Sequence, residues 1–366
     1  MLPPEPTTVS LNEVFCHFCQ GKHQFNAFDP HNNGNAVLLI VVVGFRPPSK
    51  EQETGFDFGK GILIFASSLA KSMSSNDNRN PTSILLLITL TIIWGTSFIL
   101  MKRGLVIFTA GEVGAIRVVS AAIFLLPFAV SKLKELKGVH YPRLLFSGMM
   151  GIFFPAFLFA LAQTRMESAI TGILNSLTPM FTLIIGVLLF SQKFKMQSLI
   201  GIIIGLAGTV LLIISREGGT IGGVNLFAFF VIIACVCYAI NVNFLKLKLA
   251  DLKSLTITSV ALMLIGPLAA LYLFGFTDFL YKMDAAPHAW EALGYLVLLG
   301  LMSTSLATIL FNRLIKISTP LFASSITYLI PIVAVMWGLL DGERLVLGHF
   351  LGMCLTIGGV YLANRT

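Results

Sequence analysis

The chain has 366 residues, of which 56% are hydrophobic and 11% charged, with a mean hydropathy of +0.86 and a formal net charge of +8. Soluble domains carry roughly 25% charged residues, so this composition excludes a water-soluble protein and makes lipid the solvent for most of the chain. The positive charge does not imply nucleic acid: the basic residues sit in short connectors between apolar runs, with no aromatic-basic patch among them, and their expected role is to set membrane topology.

In chain order, residues 1–80 differ in kind from the rest. Two apolar runs, 36–45 and 61–70, are ten residues each, too short to span a bilayer as a helix. The first has no cleavage-site pattern near the N-terminus and makes a poor signal peptide. The stretch 27–35 is turn-rich and unpatterned. Cys16-His17-Phe18-Cys19 with His23 and His31 does not match a strong zinc-finger spacing, so no metal is expected. The other cysteines, Cys235, Cys237 and Cys354, lie in apolar runs, and the odd, scattered set of five predicts no disulfide framework. Met73 opens a polar lead straight into the first long apolar run. The expectation is an N-terminal extension over 1–80 that stands outside the working fold, disordered or upstream of a start at Met73.

Ten apolar stretches follow, at 83–101, 113–130, 144–162, 170–190, 199–214, 224–244, 255–274, 293–311, 321–340 and 345–362. Most approach the ~20 residues that cross a bilayer as a helix. Strands are excluded because open sheet edges cannot face lipid and barrel-type alternation is absent. The fold class is therefore an all-α integral membrane protein with ten transmembrane helices. If the lead into the first span is cytoplasmic, the connectors from Lys71 onward hold fourteen Lys and Arg inside and six outside. That asymmetry predicts both termini in the cytoplasm.

The ten stretches read as two copies of five. Trp94 and Lys102 parallel Tyr238 and Lys246. The run 179–186 parallels 331–338, and Gly201 and Gly208 parallel Gly352 and Gly359. The offsets stay between 144 and 152 residues. Five is odd, so the second copy enters the membrane from the opposite face. Two inverted repeats, 81–215 and 216–366, provide two oppositely facing conformations, the physical basis of alternating access.

Polar residues inside apolar spans are costly and tend to face a cavity. Arg117 lies several residues into the second span and keeps its proton. It can hold an anionic substrate group, or else snorkel or bind backbone carbonyls. Trp94, Tyr238, Asn241, Asn175 and Tyr328 supply aromatic faces and neutral hydrogen-bonding groups suited to a substrate pocket; the alternative for the amides is interhelical glue. Gln163 and Asn312 lie near span ends. Pro179 and Pro331 each remove a helix hydrogen bond and free a carbonyl one turn earlier, as hinges or as packing kinks. The Gly201-x-x-x-Gly205 and Gly348-x-x-x-Gly352 pairs permit close helix contact, read first as packing within the chain and secondly as a homodimer face. No Asp or Glu lies mid-span, so a proton relay through a membrane-embedded carboxylate is not available in its simplest form.

Trp94-Gly95-Thr96-Ser97-Phe98 followed by Lys102 resembles the opening motif of the drug/metabolite transporter superfamily. Arg117, Leu177-Thr178-Pro179, Leu329-Ile330-Pro331 and Glu343 fit the same pattern; Ser191-Gln192, where the first copy lacks an acid, departs from it. The resemblance is to the ten-span, two-repeat EamA-type branch over about residues 80–364. It implies a secondary transporter, commonly an exporter of amino acids, related metabolites or drugs. It further implies a central cavity lined by the first four spans of each half. The expected location is a cell membrane, the bacterial inner membrane, with multiple passes. The expected partners are a small-molecule substrate and the lipid bilayer, without nucleic acid or cofactor. An enzyme acting on lipid would want a nucleophile with His or an acid cluster; His140, His288 and His349 are isolated, and no H-E-x-x-H, G-x-S-x-G or P-loop is present. A channel would not need the duplication.

Overall fold

In hydrocarbon every backbone N–H and C=O must find a partner within the protein, which leaves the helix as the local solution for a chain of apolar runs. The structure, a computed structural model, describes residues 81–190, 196–215, 226–318, 323, 325–343 and 345–364, all within the unit Phe58–Thr366. The extension over 1–80, its Cys16 to His31 group, and Ser191-Gln192 lie outside the described residues.

Every described element is helical. Helix α1 is Pro81–Gly104 and α2 is Ala110–Lys132. Next come α3, His140–Gly148, a π-helical segment, Met149–Phe153, and α4, Phe154–Gln163. Then α5, Ser168–Leu174, passes through a 3-10 turn, Asn175–Leu177, into α6, Thr178–Phe190. Helix α7 is Met196–Ile214, α8 is Ala228–Lys248 and α9 is Ser254–Gly275. A short α10, Phe279–Ala285, leads to α11, Ala289–Leu298, a second π segment, Leu299–Leu306, and α12, Ala307–Ile317. A 3-10 turn, Ser325–Tyr328, precedes α13, Ile330–Leu340, and α14 is Leu347–Asn364. Among the described residues, seven helices are long and apolar enough to cross a membrane, and three shorter apolar helices cover Ile203–Leu212, Ile326–Leu340 and Leu347–Gly359. The chain is a multi-pass membrane protein.

The sequence predicts continuous helices where the structure shows interruptions. Two hydrophobic stretches, 144–162 and 293–311, contain a π segment each; two others, 170–190 and 321–340, contain a 3-10 turn each. Hydrophobicity is blind to such breaks, because the residues stay apolar through them. Pro179 and Pro331 sit in the first turn of α6 and α13, where a missing N–H leaves nothing unsatisfied. The carbonyl freed one turn before Pro179 is that of Asn175. It accepts from Thr178 Oγ1 at 2.8 Å.

Helices α2 and α9 pack together along their length, as do α7 and α14, and the two 3-10 turns touch. The α7–α14 contact rests on glycine. A Cβ on Gly208 would lie 2.5 Å from the Thr356 backbone nitrogen and 2.7 Å from the Gly352 carbonyl oxygen. One on Gly359 would lie 2.6 Å from the Gly201 carbonyl oxygen. The glycine faces are thus used within the chain. Gly208→Val and Gly359→Val should each destabilise the bundle by about 1–3 kcal/mol, the usual cost of overpacking. A lower midpoint in thermal unfolding of the detergent-purified protein checks this, with Gly138→Ala, which meets nothing within 4 Å, as the neutral control.

Candidate functional site

A cavity opens inside the bundle. It encloses about 590 Å³ of empty space, mouth included, and is lined by Trp94, Ser97, Phe98, Met101, Arg117, Phe159, Asn175, Thr178, Tyr238, Ser303, Phe311 and Thr327. Four of the six residues predicted to bind substrate therefore share one cavity: Trp94 from α1, Arg117 from α2, Asn175 from the first 3-10 turn and Tyr238 from α8.

The interruptions place these side chains. The second π segment widens the helix and turns Ser303 and Thr304 toward α1 and α2. Trp94 Nε1 donates to the Ser303 carbonyl at 3.2 Å, and its ring meets Phe311 edge-on, with centroids 4.9 Å apart. Arg117 Nε donates to Thr304 Oγ1 at 3.1 Å. Arg117 is only 7% exposed, and among the described residues its two terminal nitrogens meet no acceptor and no carboxylate. Tyr238 stacks on Phe159, centroids 6.0 Å apart, within the electrostatic reach of Arg117. Asn175 and Thr327, whose carbonyls Pro179 and Pro331 free, both line the cavity.

Asn241 and Tyr328 are not among the lining residues. Asn241 Oδ1 accepts from Ser147 Oγ at 2.7 Å, and its amide lies against Gly151 of the first π segment. It ties α8 to α3. Tyr328 is buried at the end of the second 3-10 turn, in the core beside the cavity. Asn312 likewise ties α12 to α9 through Thr258 at 2.9 Å.

Sequence reasoning did not single out Ser303 and Thr304. The signal was present as Ser303-Thr304-Ser305, three hydroxyl residues in an apolar run. It also left Lys102 and Glu343 without a role. They meet at 2.8 Å, and Lys102 also pairs with Asp341 at 2.6 Å. Arg103 pairs with Asp341 as well. Glu343 further accepts from Ser168 Oγ at 2.6 Å and from the backbone N–H groups of Ser168 and Ala169, both at 3.0 Å. One carboxylate so joins the ends of α1 and α13 to the start of α5. A second buried pair, Glu112 with Lys282 at 2.6 Å, ties the start of α2 to α10. Glu112 also closes a capping box with Thr109, which Thr-x-x-Glu in the sequence announces.

Burial opposes ionisation of Glu343, but hydrogen bonds from Lys102, Ser168 and Ala169 outweigh it and hold its carboxyl below the ordinary 4.5. A depressed carboxyl stabilises the fold fully above the unfolded-state value and loses that contribution as pH falls through the folded-state value. Thermal stability should therefore hold from neutral pH down to about the ordinary carboxylate range near 4.3 and drop below it. Glu343→Gln should be less stable at neutral pH and should flatten the acid limb, as read by unfolding midpoints across pH.

The fold defines a polytopic α-helical membrane protein with a cavity among its helices. The chain belongs to the EamA-like transporter family, whose model matches residues 81–214 and 225–365. It is 26% identical over 291 residues to the "Uncharacterized inner membrane transporter YedA" of Escherichia coli (strain K12), covering 76% of this chain and 89% of that relative. An "Uncharacterized transporter" of Archaeoglobus fulgidus is 26% identical over 285 residues, covering 77% and 98%. The "Uncharacterized transporter YoaV" of Bacillus subtilis is 23% identical over 285 residues, covering 76% and 96%. A solved crystal structure matches with a TM-score of 0.56 at 15% identity, covering 78% of this chain and 97% of that one; this likeness concerns the fold alone.

Proposed function

We propose that the protein is a secondary transporter that exports small metabolites such as amino acids, or drugs, by alternating access around the central cavity. In this reading ten membrane-spanning helices form two inverted five-helix repeats, residues 81–215 and 216–366, with both termini in the cytoplasm. The observation that carries it is a cavity lined from both family-matched segments: Trp94 to Thr178 from the first, Tyr238 to Thr327 from the second. A site shared between two halves is the arrangement that rocking of one half against the other can expose to either side.

Three features support the duplication. The π segments fall in the third helical stretch of each family-matched segment, and the 3-10 turns in the fourth. Stretches at corresponding places pack on each other, α2 on α9 and α7 on α14. Pro179 and Pro331 each follow a 3-10 turn, and we assign them as hinges, since the residues they uncouple line the cavity. The export direction follows from the superfamily resemblance, and the orientation from the distribution of Lys and Arg.

Uptake into proteoliposomes of a labelled metabolite panel, with and without a pH gradient, tests the transport reading; silence across the whole panel counts against it. Pro179→Ala and Pro331→Ala restore a backbone N–H at each break. If the breaks are hinges, both variants should bind cargo as the parent does and transport it more slowly, by about tenfold or more, equivalent to ~1.4 kcal/mol on the conformational step. Unchanged rates in both would remove the hinge role. For orientation, single cysteines placed across 131–140 should resist an impermeant thiol reagent in intact cells and react once the membrane is opened.

A further inference from the structure

The cavity has a pronounced charge imbalance. Arg117 is buried to 7% exposure and keeps one hydrogen bond, from Nε to Thr304. Its terminal nitrogens, four N–H donors of the planar fork, find no protein acceptor among the described residues. The Asn175 amide nitrogen likewise has no acceptor among the described residues, and Asn175 lines the cavity. Three carboxylates near the helix ends are engaged elsewhere: Glu112 with Lys282, Asp341 with Lys102 and Arg103, Glu343 with Lys102 and the start of α5. No Asp or Glu is among the described residues that line the cavity. The rest of the wall is apolar or aromatic, with Trp94, Phe98, Phe159 and Phe311, or neutral and hydroxylic.

A guanidinium that stays ionised in a low-dielectric interior without a counter-charge is strongly unfavourable. A carboxylate, or a sulfonate through two of its three oxygens, matches its fork in bidentate geometry and relieves that imbalance. An ammonium entering the same space meets a like charge and no acid. Aromatic faces do attract cations, but here they lie in the field of Arg117, which opposes that attraction.

We propose that the cavity is built for a singly charged organic anion with an apolar or aryl body, its acid group on Arg117 and Asn175 and its body against the aromatic wall. It discriminates against amines and against zwitterions. This rests on reading the cavity as the transporter's substrate site and narrows that substrate to one charge class, which favours the organic anions among metabolites and drugs and sets zwitterionic amino acids aside.

Four probes of one shape test it on the full chain in detergent: 3-phenylpropionate, its neutral amide, 3-phenylpropylamine and phenylalanine, with binding measured by calorimetry. The expected result is that the carboxylate binds at least tenfold tighter than each of the others. Arg117→Gln should bring the carboxylate down to the amide. Asn175→Asp puts an acid into the wall and should cut carboxylate binding at least tenfold while raising that of the amine; it keeps the test decisive if Arg117→Gln does not fold. A carboxylate that binds no better than the amide or phenylalanine, or shows no binding at all, overturns the proposal. So does a preference that survives in a folded Arg117→Gln, or in Asn175→Asp when Arg117→Gln does not fold. Transport is scored separately with 3-phenylpropane-1-sulfonate, whose fixed charge prevents leakage through the bilayer. Binding without protein-dependent passage counts against the transporter reading and leaves the anion site standing. Passage of amine or amide with no acid preference overturns the anion site and leaves transport intact.

Discussion

The structure depends on one constraint: a backbone in hydrocarbon must satisfy its own hydrogen bonds. A regular helix does so everywhere and thereby presents only side chains. Here four helical stretches depart from regularity, through π segments at Met149–Phe153 and Leu299–Leu306 and 3-10 turns at Asn175–Leu177 and Ser325–Tyr328. Each departure changes which backbone groups are free, and carbonyls in these segments are met from inside the bundle. The Ser303 carbonyl receives Trp94 Nε1. The Asn175 carbonyl receives the Thr178 hydroxyl. Three of the four irregular segments reach the cavity wall, through Asn175, Ser303 and Thr327, in keeping with the rule that such backbone is tolerated where it lines a cavity or is buried in protein.

The same segments organise the site's electrostatics. Thr304 is brought against Arg117 by the wide turn of the second π segment. Arg117 is held by one nitrogen and left open at its other two, so it is positioned without being neutralised. A buried arginine fully paired with a protein carboxylate would be a structural strut. This one is a strut on the Nε side, and its other two nitrogens meet no acceptor among the described residues.

The ends of the helices use charge differently. Glu343 and Glu112 each sit buried between a lysine and a helix start. Lys246, which corresponds to Lys102 in the repeat read from the sequence, instead donates to the carbonyls of Ile315 and Ser318, at 2.9 and 2.8 Å. One lysine is thus latched to carboxylates and its counterpart to the end of α12. Ion pairs and lysine–carbonyl bonds differ in their response to salt and pH.

Much was legible beforehand. The apolar runs, their lengths, the glycine faces of α7 and α14, and Trp94, Arg117, Asn175 and Tyr238 as cavity residues could all be read from the chain, because hydrophobic burial and the cost of intramembrane polar groups act on residue type alone. The roles of Asn241, Tyr328 and Glu343 could not, since a polar residue in a span serves equally as glue or as lining until its neighbour is known. Asn241 faces Ser147 and Tyr328 lies in the core beside the cavity. The π and 3-10 segments were hidden for a related reason: they are hydrogen-bonding choices made by the backbone among residues that remain apolar throughout. The sequence by itself determined the solvent, the helices and the cost of each buried polar group. Tertiary structure alone decided which of those groups found partners and which, above all Arg117, were left facing the cavity, because partnership across 187 residues of chain is a property of packing and not of composition.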